Sequence, residues 1–169
     1  MIWSRSPGRT SVPTLARGER ELARAVAEDG TVLVGTRDAF HLVPANDGEA
    51  RRIPWEQVEA AEWEADTSTF RLSEVGEWGQ DRPEHSFVLE DARLLLEMVH
   101  ERVTASIVLQ RDLQVAGGGV RVIARRAPHG DGALAWVYEY DAGVDPEDPV
   151  VRAAAAAALH RAKEEVGDL

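Results

Sequence analysis

Between Gly18 and Leu89 the apolar residues recur at every second position in short runs, and each run ends in turn-forming residues. That rhythm builds an antiparallel meander, because alternate side chains of a strand face opposite sides of its sheet. The segment Glu21 to Ala27 reads as a first strand or a helical turn, closed by Glu28-Asp29-Gly30. Thr31 to Thr36 and Ala39 to Val43 follow as a pair joined by Arg37-Asp38, and Asn46-Asp47-Gly48 marks the next turn. Ala50 to Ile53 runs into Pro54, which cannot donate to a central ladder and so marks an edge or a bend. Glu59 to Ala65, Thr69 to Val75 and Glu84 to Leu89 complete the series around a polar loop from Gly76 to Pro83.

The period then changes. Leu95, Met98, Val99 and Val103 recur at helical spacing, which predicts an amphipathic helix over Ala92 to Thr104 with Asp91 as its N-cap. Alternation returns with Ile107 to Val115, a turn at Gly117-Gly118-Gly119, Val120 to Arg126, and an aromatic strand from Leu134 to Tyr140. Asp148 followed by Pro149 predicts a second helix start, the alanines from Ala153 to Ala158 propagate it, and Gly167 ends it. The pattern is α+β: an antiparallel half-open barrel capped by a helix, then a smaller antiparallel meander and a C-terminal Ala-rich helix. Residues 1–17 read as a flexible arm, 18–106 as the barrel with its helix, and 107–169 as the second unit packed on the first.

Composition narrows the function. With 44% hydrophobic and 29% charged residues in 169, the chain matches an ordinary globular protein and needs no metal or disulfide to fold. The absence of cysteine removes thiolate chemistry. A formal net charge of −11 opposes binding to nucleic acid and to anionic lipid, both of which draw on unpaired cations. No apolar run reaches the length of a membrane span and the N-terminus lacks the apolar stretch of a leader, so a cytoplasmic location is expected.

The run Arg52-Ile53-Pro54-Trp55-Glu56-Gln57-Val58, continuing to Trp63, resembles the strand-bend-strand of bacterial PH-like and GRAM-like domains. The remainder, including Val122 to Arg126 and Tyr140 to Pro146, is similar to uncharacterised actinobacterial proteins. The first resemblance implies a seven-stranded half-open barrel with a C-terminal helix over about half the chain. It also implies a scaffold used chiefly for contact with other proteins. Members that bind inositol lipids carry Lys and Arg at the first hairpin; here that turn is Glu28-Asp29-Gly30, with only Arg24 and Arg37 near it.

Motifs for chemistry are sparse. The histidines at 41, 85, 100, 129 and 160 lie too far apart for one element to present two metal ligands, and Glu97 with His100 is half of a doubled motif that has no second half. The triglycine run lies between two strands, where a hairpin turn fits and a phosphate cradle does not. Ser106, His129 and Asp131 form a triad only if the fold happens to gather them. No cofactor and no catalytic residue is therefore assigned. Two features point instead to partners. Trp78 stands in the Gly76 to Pro83 loop either as a contact anchor or folded back over the barrel rim. Arg121, Arg125 and Arg126 concentrate basic charge on one strand, with Arg121 and Arg125 on one face, to grip an acidic partner or to pair with Glu139 and Asp141. Trp55, Trp63 and Trp136 alternate as core residues. The expected function is a non-enzymatic interaction or self-association module. Its rivals are a ligand-binding protein or enzyme with a pocket between helix and barrel, and nucleic-acid contact through the arginine strand.

Overall fold

A computed structural model describes residues 15–76, 82–129 and 132–168. Strands β1 (Ala23–Val26), β2 (Val32–Gly35), β3 (Ala39–Val43) and β4 (Arg51–Pro54) form an antiparallel sheet in chain order. The ambiguous first segment is thus a strand. Its turn into β2 is fixed by Gly30 at φ 85°, which only glycine adopts without strain, and by the Thr31 N–H donating to Asp29 Oδ1 at 2.8 Å. After Pro54 the chain makes one 3-10 turn, Trp55–Gln57, and enters a second antiparallel sheet of β5 (Val58–Glu64), β6 (Thr69–Glu74) and β7 (Glu84–Val88). The proline marks a bend, as its missing N–H requires.

The two sheets meet where Ala27 bridges Leu89 and the Glu28 N–H donates to the Val88 carbonyl. Helix α1 (Arg93–Ser106) lies across both, in contact with β1, β2 and β5. Between them Phe40, Trp55, Phe70, Leu33, Leu72, Leu89 and Leu95 are essentially inaccessible. Each contributes roughly 1.5–3 kcal/mol of burial. Phe40 stacks obliquely on both Trp55 and Phe70, with ring centroids 6.0 Å apart in each pair. The Trp55 indole N–H is satisfied by the Thr36 carbonyl at 3.1 Å.

The third sheet orders β10 (Ala135–Tyr140), β9 (Gly118–Arg125) and β8 (Ile107–Val115), all antiparallel, under helix α2 (Pro149–Val166). Asp148 caps α2 by accepting from Val150 N–H at 2.7 Å, Pro149 opens it, and Gly167 closes it in the left-handed conformation at φ 73°. Val151, Ala155, Ala158 and Ala162 form its buried stripe against Val120 and Val122. The chain is α+β, with antiparallel sheets throughout.

Two expectations need correction. Helix α1 begins at Arg93 with Ala92 at the cap position and no side-chain cap; Ala92 is buried in the core, so packing rather than Asp91 fixes this end. Trp63 shares a face with its partner Phe70, but β5 runs on past the core and leaves the indole 41% exposed. The arm expected over 1–17 is described only from residue 15, and Leu15 there packs on Val32, Val34 and Val43 on the outer face of the first sheet.

Candidate functional sites

Adjacent residues on a strand point to opposite faces, and Arg51 and Arg52 each use this to hold a carboxylate. Arg51 forks onto Glu74 with Nε–Oε1 at 2.6 Å and Nη2–Oε2 at 2.7 Å, clamping β4 to β6; His85 Nε2 lies 2.6 Å from the same Oε1. On the other face Arg52 Nη2 meets Glu19 Oε1 at 2.7 Å, and His41 Nε2 stands 3.2 Å from Glu19 Oε2 without hydrogen-bond alignment. Burial pushes the Glu19 carboxyl up, but Arg52, by hydrogen bond and charge, with His41, holds it below its usual range. Glu74 follows the same logic: burial raises it, and Arg51 and His85 together bring it below the ordinary value. His41 is lowered, first by burial and then by Arg52, against the pull of Glu19. Both clusters are consumed in joining segments, with Glu19 tying the chain before β1 to the sheet.

Arg125 was expected to share an exposed face with Arg121. Instead it is 1% exposed, its Nη1 donating to Ser106 Oγ at 3.1 Å and its Nη2 to the Glu59 carbonyl at 3.0 Å. It joins β9 to the end of α1 and to β5, so it fastens the two halves together. Burial lowers its pKa, with Glu139 opposing. Arg121 is exposed and pairs with Glu139 on β10 at 2.9 Å, and Arg126 is half-buried with its N–H on the Ser106 carbonyl at 2.9 Å. The three arginines therefore share no surface. Trp78 lies outside the described residues.

The other chemical candidates resolve into structure. Ser106 Oγ is taken by the Val103 carbonyl at 2.7 Å and by Arg125, while His129 faces Arg102, so these two do not meet; Asp131 lies outside the described residues. Glu97 pairs with Arg93 at 2.9 Å. Of the triglycine segment, Gly117 lies in the β8–β9 turn at φ 91°, while Gly118 and Gly119 begin β9. The following loop clamps it, Gly119 N–H donating to Asp141 Oδ2 at 2.8 Å. Among the described residues no group of three His, Asp or Glu is placed to hold a metal, and no helix is long and apolar enough to cross a membrane.

Two surface features stand out among the described residues. One is a groove of about 280 Å³ between β10 and α2, lined by Tyr138, Tyr140, Arg152, Ala155 and Ala156. It exists because α2 centres on β8 and β9, leaving the aromatic face of β10 half-covered. β10 has a single neighbouring strand among the described ones. The Asp141 N–H donates toward β9, to the Gly119 carbonyl at 3.0 Å. By alternation the backbone N–H and C=O groups of Trp136 and Tyr138 face away from β9. The second feature is a cleft of about 450 Å³ lined by Gly18, Arg20, Leu22, Arg37, Arg102 and His129. Its residues come from four separate segments, so no local motif announces it, and in the sequence Arg20, Arg37 and Arg102 each stand beside an acidic residue, Glu19, Asp38 and Glu101. Comparison with family models, with curated proteins and with solved structures finds no match.

Proposed function

We propose that this chain is a non-enzymatic interaction module that associates with a second copy of itself along β10. The observation that carries the reading is the edge of β10 at Trp136 and Tyr138, whose backbone groups face away from β9 and toward no other strand among the described residues, in a strand free of Gly and Pro beside a half-empty groove. An edge of this kind is a template for strand addition, and proteins that do not use such an edge blunt it with charge, proline or a bulge. The filled barrel supports the same reading, since its interior holds apolar side chains where a catalytic pocket would need room. So does the resemblance of Arg52 to Trp63 to a scaffold used for protein contact.

Two copies related by a dyad through Tyr138 give an isologous pairing, with Trp136 opposite the second copy's Tyr140 and Val137 opposite its Glu139. Aromatic cross-strand pairs then form on one face, and Glu139 does not meet its own copy. Light scattering on a sizing column tests this: the expected mass is that of a dimer at micromolar concentration, falling to a monomer in Val137→Glu, which sets like charges opposite each other twice. A monomer at every concentration for the wild-type chain would overturn the reading.

A further inference from the structure

We propose that the cleft formed by Arg20, Arg37, Arg102 and His129 binds a small, soluble phosphomonoester. Acidic residues outnumber basic ones, 30 to 19; Arg24, Arg51, Arg52, Arg82, Arg111 and Arg121 each meet a Glu, while Arg17, Arg71, Arg126 and Arg161 meet no carboxylate among the described residues. The cleft gathers three arginines with almost no counter-charge. Among the described residues Arg20 and Arg102 meet no carboxylate, and Arg37 reaches only Asp38, at 4.0 Å and at the limit of an ion pair. Like charges gathered without counter-ions repel, and an anion between them removes that cost.

Arg102 is the fixed member. Its Nη1 donates to His129 Nε2, which must be the acceptor because a guanidinium has no lone pair to offer, and its Nε is buried without an acceptor. Arg20 enters from the segment before β1 and Arg37 from the β2–β3 turn. A phosphomonoester carries about −1.5 to −2 charge at neutral pH on three acceptor oxygens, which suits several guanidinium forks at once. About 450 Å³ exceeds what a bare phosphate fills, and Leu22, 46% exposed, offers an apolar contact for an organic group. The charge of −11 over the whole chain repels a polyanionic membrane or nucleic acid while leaving a small ion free to enter.

Calorimetric titration of the full chain with phenyl phosphate, inorganic phosphate and phenyl sulfate tests the assignment, with vesicles containing phosphatidic acid as a separate arm. One saturable site is expected, with phenyl phosphate tighter than inorganic phosphate. Its affinity should rise between pH 5 and 7 as the second proton leaves the phosphate at about pH 6, a rise that phenyl sulfate lacks. Arg20→Gln and Arg37→Gln should each weaken binding by about 10-fold or more, while Arg161→Gln, on the exposed face of α2, leaves it unchanged. If Arg102→Gln lowers the melting temperature, the Arg37 variant decides, since that side chain is 65% exposed. No saturable binding, equal losses in Arg161→Gln, or retention on vesicles without binding of soluble phosphomonoesters would overturn the proposal.

Discussion

Gly117 and Gly143 press their backbones together where the β8–β9 turn meets the loop before α2. A Cβ on Gly117 would stand 2.1 Å from the Gly143 carbonyl oxygen, and φ at Gly117 is 91°. Gly117→Ala is therefore expected to cost at least about 2 kcal/mol, a fall of several degrees in melting temperature for a chain this size. Gly132→Ala, whose Cβ would meet nothing nearer than 3.9 Å, should change it little. Arg125 tests the joint between the halves. Arg125→Ala leaves the Glu59 carbonyl without its donor and opens a cavity, so a loss of about 3 kcal/mol or more is expected in chemical denaturation. Arg125→Met, which keeps volume without burying a charge, should cost less. The histidine and carboxylate clusters set the pH response. Glu19, Glu74 and His41 all have lowered values in the folded chain, so the unfolded chain binds more protons and stability falls as pH falls. The sequence of losses follows the ordinary values: His41 costs stability from about pH 6.5 downward, and the two glutamates from about pH 4.5 downward. Melting temperatures across pH should show both phases, and His41→Gln should remove the upper one and lessen the Glu19 share of the lower.

At the level of elements, strand periodicity and turn chemistry located the meander and the ends of α2, because those signals are local: Asp29-Gly30, Pro54, Asp148-Pro149 and Gly167 act on their own neighbours. The misreadings are all about what lies across space. Arg125 looks identical to Arg121 in a strand pattern, yet only one of them faces the Glu59 carbonyl on another sheet. Trp63 keeps the right face but overshoots the core, and no alternation rule reports how far a core extends. The basic cleft was invisible for the same reason. Helix α2 gives a prediction of its own. Ala162, at 1% exposure in the cluster with Val122, is packed against the sheet, so Ala162→Leu should destabilise by about 1–3 kcal/mol. Ala157→Leu, on the exposed face, should be close to neutral by the same thermal assay.

For the whole molecule, Arg125 joins the two halves, and two surface features stand out: the cleft of Arg20, Arg37 and Arg102, and the edge of β10 that faces no other strand among the described residues. The edge is the claim on which the functional reading stands. Hydrogen exchange at the Trp136 and Tyr138 amides, followed against protein concentration, measures it directly, since both amides face away from β9. The account predicts slow exchange at concentrations where dimers form and fast exchange on dilution, with the amides of Val137 and Glu139 unchanged. Exchange at Trp136 and Tyr138 that stays fast at every concentration would contradict it.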